Sequence, residues 1–92
     1  MIHLTVLNLK EKIFEGNVES ITIPGEAGEL TVLPNHVPIV TAIKKGAISA
    51  LMAQDPSASS GQGKRYAGEE RKHFESKGGI FEFSNNEATI LL

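Results

Sequence analysis

The chain has 92 residues, of which 40% are hydrophobic and 22% charged, and its formal net charge is -2. This size supports one domain with one modest core, and the near-neutral charge gives no strong attraction to nucleic acid or anionic lipid. The absence of cysteine excludes a disulfide framework and a thiol nucleophile, and no apolar run approaches the roughly 20 residues that span a bilayer.

The first half of the sequence consists of short segments in which apolar and polar residues alternate, with Gly, Pro and Asn between them. This pattern predicts an all-β sandwich or barrel. Ile2, Leu4 and Val6 share one face of the first strand, and the alternation then shifts phase, which indicates a bulge or a strand end. Turns are expected at Gly16-Asn17 and at Pro24-Gly25, since both pairs suit turn positions.

The segment VLPNHVP, residues 32–38, is expected to be an irregular connection or a sheet edge. Pro34 and Pro38 force the residues before them into extended geometry and remove two donors from any hydrogen-bond ladder. His36 lies between them and raises the question of catalysis, because histidine is the side chain that titrates closest to physiological pH. The strand pattern then resumes, and a turn is expected at residues 44–46.

The second half begins with a low-complexity stretch, QDPSASSGQGK, residues 54–64, which predicts a flexible loop. After it we favour a strand near Lys72 to Ser76. The segments IFEFS and EATILL predict two strands joined at Asn85-Asn86, because asparagine tolerates the left-handed conformation of a tight hairpin. The sequence therefore predicts a single β domain over residues 1–92 with a flexible loop near 54–64.

Metal and nucleotide sites are not supported by the spacing of the polar residues. A metal site needs three or four convergent ligands, and the three histidines, His3, His36 and His73, are scattered along the chain. The segment around Gly63-Lys64 resembles the end of a phosphate loop. It lacks the first glycine of that motif, and Arg65 stands where a magnesium-binding hydroxyl is needed.

Catalytic and nucleic-acid sites fail on similar grounds. Glu26 and Glu29 flank Gly28, but no nucleophile or companion base lies near them in the sequence, so an exposed loop tip is the simpler interpretation. The basic residues between positions 64 and 77 are interleaved with glutamates, which cancels most of their potential. We therefore predict no catalytic residue, no metal, no cofactor and no nucleic-acid partner.

One longer segment carries a family resemblance. PGEAGELTVLPNHVPIVTAIKKGAI, residues 24–48, resembles the N-terminal sandwich domain of the epsilon subunit of F-type ATP synthases, called delta in mitochondria. The segments at residues 12–25 and 77–92 resemble the flanking parts of the same domain. The fixed positions of the family pattern are matched by Gly25, Gly28, Glu29, Val32, Leu33, Pro34, His36, Pro38, Thr41, Ile43 and Gly46.

The resemblance implies a fold. It predicts a ten-stranded flattened β-sandwich of two five-stranded sheets, without the C-terminal helical hairpin of many relatives. In those relatives the chain continues, beyond the position of Leu92, into two helices that can inhibit ATP hydrolysis and, in some members, bind ATP. Neither property is carried over here.

The resemblance also implies a function. It predicts a non-catalytic central-stalk subunit of a proton-translocating F-type ATP synthase, which links the gamma subunit to the membrane c-ring and couples rotation to ATP synthesis. By position, the contacts with the polar loops of the c-ring fall on Glu26, Ala27, Gly28, Glu29 and Leu30, with Glu29 as the polar contact. Those with gamma fall on His36, Val37, Pro38 and Thr41.

The expected location is the cytoplasmic face of the bacterial inner membrane, with an organelle as the alternative. The beta subunit is a further candidate partner. We expect no direct insertion into lipid, and the N-terminus, without a basic stretch before an apolar one, predicts a soluble, unprocessed chain. Two other functions remain open: a free-standing β-sandwich adaptor that binds a peptide at an edge strand, and a small metal- or phosphate-dependent enzyme.

Overall fold

A computed structural model describes residues 1–53 and 70–92, and these residues form an all-β fold. The strands are β1 (Ile2–Leu7), β2 (Lys12–Gly25), β3 (Gly28–Val32), β4 (Ile39–Met52), β5 (Arg71–Ser84) and β6 (Glu87–Leu91). In these two ranges no helix is long and apolar enough to cross a membrane. The flexible loop predicted near residues 54–64 lies outside the described residues.

The sheet closes on itself. Its strands are hydrogen-bonded in the order β1-β6-β5-β4-β2-β3, and β1 also pairs with β2. β1 is antiparallel to β2 and parallel to β6, so the first and last strands are neighbours. β3 extends from β2 as an antiparallel hairpin beside this ring. The arrangement is a closed, barrel-like or sandwich-like fold.

The predicted ten strands are not confirmed, because six are found in the described residues. The difference comes from β2, β4 and β5, which have 14 residues each, more than twice the usual strand length of about five or six. β2 pairs with β1 through its first half and with β3 and β4 through its second. The turns predicted at Gly16-Asn17 and at residues 44–46 are wrong, since the strands continue through both.

The glycines at those two positions serve close approaches within the sheet. A Cβ on Gly16 would lie 3.1 Å from the ring of Phe14, so the ring packs over the space that a side chain would fill. Gly46 has a φ of 153°, and a Cβ there would lie 3.2 Å from the ring of Pro24. A glycine within a strand often marks such a contact rather than a chain reversal.

The core lies inside the closed sheet and is mainly aliphatic. The predicted inward face of Ile2, Leu4 and Val6 is confirmed. Along β2, Val18 and then Ile21 are both buried although they are an odd number of residues apart. The register between β2 and β4 shifts between these two residues, which explains the phase change. The buried hydrophobic residues are Ile2, Leu4, Val6, Val18, Ile21, Ile23, Val32, Ile43, Ile48, Ala50, Phe81, Phe83, Ala88 and Ile90.

The two tight hairpins differ in how well the sequence predicts them. The turn expected at Pro24-Gly25 is wrong by two residues, because Gly25 pairs with Gly28 and the turn consists of Glu26 and Ala27. The turn at Asn85-Asn86 is confirmed, with φ values of 49° and 58°. Two successive residues of positive φ match the twist of antiparallel strands, and asparagine accepts this conformation at low cost.

Candidate interaction surfaces

Two exposed surfaces lie at opposite ends of β3. The first, which we call the hairpin tip, consists of Glu26, Ala27, Gly28 and Glu29, all of them exposed. The second, which we call the proline loop, consists of residues 33–38 between β3 and β4. The last three residues of β3, residues 30–32, separate the two surfaces. All but two of the predicted site residues lie in these two surfaces.

The hairpin tip is polar and is held by main-chain pairing, in which Gly28 and Glu29 lie opposite Gly25 and Pro24 of β2. Its main-chain link to β4 is one hydrogen bond, in which the amide of Glu26 donates to the carbonyl of Ala42 at 3.1 Å. Among residues 1–53 and 70–92, neither Glu26 nor Glu29 makes a side-chain ion pair. Leu30 follows the tip, is half-buried and packs against the core. The tip thus presents two solvated carboxylates on a buried support.

The proline loop has a defined turn at its start. The amide of His36 donates to the carbonyl of Leu33 at 3.2 Å, which places Pro34 and Asn35 at the centre of the turn. Asn35 has a φ of 68°. Proline followed by a residue of positive φ is the sequence of a type II turn. The predicted irregular connection is confirmed, and its local geometry follows from these two residues.

Side chains tie this loop to the β5–β6 hairpin. The side-chain amide of Asn86 accepts from the main-chain amide of Asn35 at 2.6 Å, and it donates to the side-chain oxygen of Asn35 at 3.0 Å. The carbonyl of Asn86 accepts from the main-chain amide of His3 at 2.9 Å. The loop, the β5–β6 turn and the beginning of β1 therefore meet at one asparagine.

His36 is half-exposed and rests on the same hairpin. Its ring meets that of Phe83 edge-on, with the centroids 6.0 Å apart and the planes at 86°. Its Nδ1 lies 2.7 Å from the carbonyl of Val37 and must donate to it, since a carbonyl oxygen only accepts. In the neutral ring this leaves Nε2 as an acceptor. These two contacts fix the orientation of the ring at the surface of the loop.

Exposed apolar side chains continue from the proline loop onto the sheet. Val37 in the loop is 69% exposed and Val40 on β4 is 67% exposed. Beyond Val40, Ala42 pairs with Ile80, and Ile80 pairs with Leu91, so their side chains share one outer face of β4, β5 and β6. We call Val40, Ala42, Ile80 and Leu91 the apolar stripe. Apolar patches of this kind commonly mark interaction sites.

Thr41 lies on the other side of β4 from this stripe. It pairs with the buried Phe81, and its hydroxyl donates to the carbonyl of Ala42 at 3.3 Å. The structure thus brings His36, Val37 and Pro38 together but sets Thr41 on the inner face. Sequence reasoning missed Val40, the exposed neighbour of Thr41. The alternation along β4, which buries Ile43 and half-buries Ile39, contained that signal.

A third polar cluster joins β1 to β2 away from the hairpin tip. Glu15 accepts from Nε2 of His3 at 2.7 Å and from the ammonium of Lys12. The pKa of Glu15 is lowered, first by the hydrogen bond from Lys12 and then by that from His3. His73 lies on β5 and is not paired across the sheet with either of the other two histidines. In the described part of the chain, no group of three or more acidic, His or Cys side chains is placed to hold a metal ion.

Comparison with known families identifies the fold. Residues 1–58 match the family described as the ATP synthase, Delta/Epsilon chain, beta-sandwich domain. The chain belongs to this family. The match spans more than half of the sequence and includes both the hairpin tip and the proline loop.

Individual members of the Delta/Epsilon family share clear sequence similarity with the chain. It is 42% identical over 52 residues to the ATP synthase epsilon chain of Delftia acidovorans, which covers 56% of this chain and 38% of the relative. It is 45% identical over 47 residues to the epsilon chain of Polaromonas naphthalenivorans, which covers 51% of this chain and 34% of the relative. The matched segments span less than half the length of these relatives.

Solved structures share the Delta/Epsilon fold with lower sequence identity. A chain of the Euglena gracilis mitochondrial ATP synthase, in a structure of OSCP, F1 and c-ring, has a TM-score of 0.78 at 22% identity. That alignment covers 98% of this chain and 49% of the other. A chain of the Tetrahymena thermophila mitochondrial ATP synthase central stalk and c-ring has a TM-score of 0.67 at 15% identity, with 98% and 61% covered.

Proposed function

We propose that the chain is a non-catalytic central-stalk subunit of a proton-translocating F-type ATP synthase, which links the gamma subunit to the membrane c-ring. The observation that carries the proposal is the family membership of residues 1–58, in which the hairpin tip and the proline loop both lie. Two separated surfaces suit a subunit that bridges two partners. We include in the proposal a single domain over residues 1–92, in which the long strands contribute to two facing sheets.

The hairpin tip is the proposed contact with the c-ring. Glu26 and Glu29 are exposed and unpaired within the described residues, so they carry free charge for a basic polar loop. Ala27 and Gly28 between them add little bulk and allow close approach of another chain. Leu30 anchors the tip to the core. We propose Glu29 as the main polar contact, since it lies within β3 rather than in the turn.

The proline loop is the proposed contact with gamma. His36, Val37 and Pro38 form its second half, and Thr41 supports the neighbouring strand from inside. The exposed apolar stripe continues from the loop, which supports an interface larger than the loop alone. A permanent interface typically buries about 2,000 Å² or more, so a surface extending onto the sheet is needed. The beta subunit is a further proposed partner, and the proposed location is the cytoplasmic face of the bacterial inner membrane.

Co-purification tests the proposal directly. The 92-residue chain, mixed with its cognate gamma subunit, should elute as a stable complex in size-exclusion chromatography. The variant Val40→Asp places a charge in the apolar stripe and should abolish the complex. Lys72→Asp on the distant part of β5 serves as the charge control, since it makes the chain more acidic by a larger step than Val40→Asp does. A wild-type chain that does not bind gamma would contradict the stalk function.

The c-ring contact needs a separate test. In assembled enzyme, Glu29→Cys should form a disulfide crosslink with a cysteine introduced into the polar loop of the c-subunit. Glu19→Cys, on β2 away from the tip, provides the control position. Efficient crosslinking from position 19 with none from position 29 would overturn the assignment of the hairpin tip.

A free-standing adaptor is the second candidate, and one observation favours it. Within the described residues β3 pairs with β2 along one edge only, so its other edge can accept a peptide strand. The adaptor function predicts binding of extended peptides to β3 without gamma. Gamma binding that is unaffected by substitutions in β3 but lost with Val40→Asp would exclude it.

A further inference from the structure

Asn86 makes contacts with other segments of the chain that the formation of its own turn does not require. The β5–β6 turn needs residues that accept positive φ, and Asn85 and Asn86 both satisfy this need. Asn86 in addition uses both ends of its side-chain amide on Asn35, which is 51 residues away in the chain. Its carbonyl accepts from His3. These long-range bonds go beyond the formation of a hairpin.

The contacts on Asn35 fix the proline loop at its turn. Asn35 is the residue of positive φ in the loop, and its main-chain amide faces the Asn86 side chain at 2.6 Å. The return bond to the Asn35 side chain makes a two-bond pair that holds both amides in one orientation. A loop with a single anchor can rotate about it, whereas a paired amide resists rotation.

His36 provides a second anchor to the same hairpin. His36 follows Asn35 in the loop, and the edge-on contact of its ring with Phe83 places it over β5. Phe83 pairs with Ala88 on β6, two residues beyond Asn86. The β5–β6 hairpin therefore supports two successive residues of the loop, and any displacement of the loop must break both contacts.

We propose that Asn86 is a positioning residue that holds the proline loop in the conformation that docks on gamma. The inference rests on the proposed function for the identity of the partner, but the holding of the loop is a property of the free chain. A loop that is ordered before binding loses less conformational entropy on docking, so its affinity is higher. Asn86 acts through Asn35 and is assigned no direct contact with the partner.

Asn86→Gly is the decisive variant, with Asn85→Gly as its matched control. Glycine accepts positive φ, so both substitutions preserve the turn and relax its backbone equally. Asn85 has the same left-handed conformation, but its side chain makes no hydrogen bond within the described residues. Asn86→Asp is the partial rescue, because it keeps the acceptor for the Asn35 amide and loses the donor.

The first measurement is hydrogen exchange in the free 92-residue chain. The Asn35 amide should exchange about tenfold faster in Asn86→Gly than in Asn85→Gly, with Asn86→Asp between them. The amide of Ile90, on β6 in the core, reports global opening and should change equally in both glycine variants. Equal exchange of the Asn35 amide in the two glycine variants would overturn the inference.

The second measurement is the affinity of the same variants for gamma by calorimetry. Asn86→Gly should bind about tenfold more weakly than Asn85→Gly, and the loss should follow the exchange rate of the Asn35 amide across the series. Faster exchange without weaker binding would overturn the docking role. If the wild-type chain binds no gamma, the proposed function fails with the docking role, and the exchange comparison still decides whether Asn86 holds the loop.

Discussion

The hairpin tip and the proline loop lie at the two ends of one short strand, yet they are held in different ways. The tip is connected to β4 by one main-chain hydrogen bond from Glu26. The loop is bound by the Asn35–Asn86 amide pair and by the ring of His36 on Phe83. The two surfaces therefore differ in the kind of contact that holds them. Main-chain pairing with β2 and β4 holds the tip, whereas side-chain contacts between residues far apart in the chain hold the loop.

This contrast suggests different modes of binding at the two ends. A polar tip with two exposed carboxylates contributes mainly charge, and the strength of such a contact depends on salt. A preformed loop beside exposed apolar residues buries area with little loss of entropy. In the proposed stalk function, the end facing gamma would provide the permanent contact and the end facing the c-ring the salt-dependent one.

Phe83→Ala should have the largest effect, because it removes the buried ring beneath the proline loop. We expect a loss of about 3–5 kcal/mol in the free energy of unfolding, measured by urea denaturation. Leu30→Ala removes the half-buried support of the hairpin tip and should cost about 1–2 kcal/mol. Equal losses for the two variants would contradict the view that the loop is the more firmly supported end.

Gly28→Ala should have the next largest effect, and it tests the tip alone. Gly28 has a φ of 132°, and a Cβ there would meet no heavy atom within 4 Å. The loss of about 1–2 kcal/mol that we expect therefore comes from backbone strain and not from a clash. Ala27→Ser, at the exposed neighbouring position, should stay within about 0.5 kcal/mol of wild type. A neutral Gly28→Ala would mean that the tip rearranges freely.

His36→Ala removes one anchor of the loop while leaving the core intact. We expect a loss of about 1 kcal/mol in stability, the size of an aromatic edge contact. Affinity for gamma should fall, and the far-UV circular dichroism spectrum should be unchanged. A variant that fails to fold would instead assign His36 a structural role. A folded variant with unchanged affinity would remove it from the proposed interface.

Glu15→Gln should have the smallest effect. Glu15 lies outside both the hairpin tip and the proline loop. The pKa of Glu15 is lowered from its usual 4.5 by Lys12 and His3, so its ionised form is favoured in the folded chain. The resulting stabilisation is complete above pH 4.5 and is lost as the pH falls through the lowered pKa. The difference between the urea midpoints of wild type and Glu15→Gln should therefore shrink below this pH. Amides do not titrate in this range, so the Asn35–Asn86 pair should not contribute to the pH dependence. A difference between the urea midpoints that stays constant down to pH 2 would contradict the lowered pKa of Glu15.

Much of the fold follows from local patterns in the sequence. The alternation of Ile2, Leu4 and Val6 correctly predicts the inward face of β1, and the turn at Asn85-Asn86 follows from the tolerance of asparagine for positive φ. The irregular loop at residues 33–38 follows from its two prolines. These features are predictable because each depends on a few adjacent residues.

The errors arise where a residue typical of turns serves a packing contact within the sheet. Gly16 and Gly46 resemble turn residues, but they make room for the ring of Phe14 on the same strand and for that of the distant Pro24. The strands therefore continue where turns were expected, and the described residues form six strands rather than the ten that the resemblance implied. The bonds between Asn35 and Asn86 leave no trace in the local pattern, since the two residues are 51 positions apart. Periodicity alone predicts neither the gamma subunit nor the c-ring as a binding partner. Both expectations come from the resemblance to the family.

The parallel pairing of β1 with β6 has a mechanical consequence. The two strands are in register from His3 opposite Glu87 to Leu7 opposite Leu91, and the bonds from His3 to Asn86 and from Leu92 to Leu7 extend the seam at either end. A force that pulls the beginning of β1 away from the end of β6 acts along both strands and loads all of these bonds together. The two strands must slide past each other before any single bond can open. Forced unfolding is limited by its rate, so this seam is suited to resist such a pull for longer than its equilibrium stability alone would indicate.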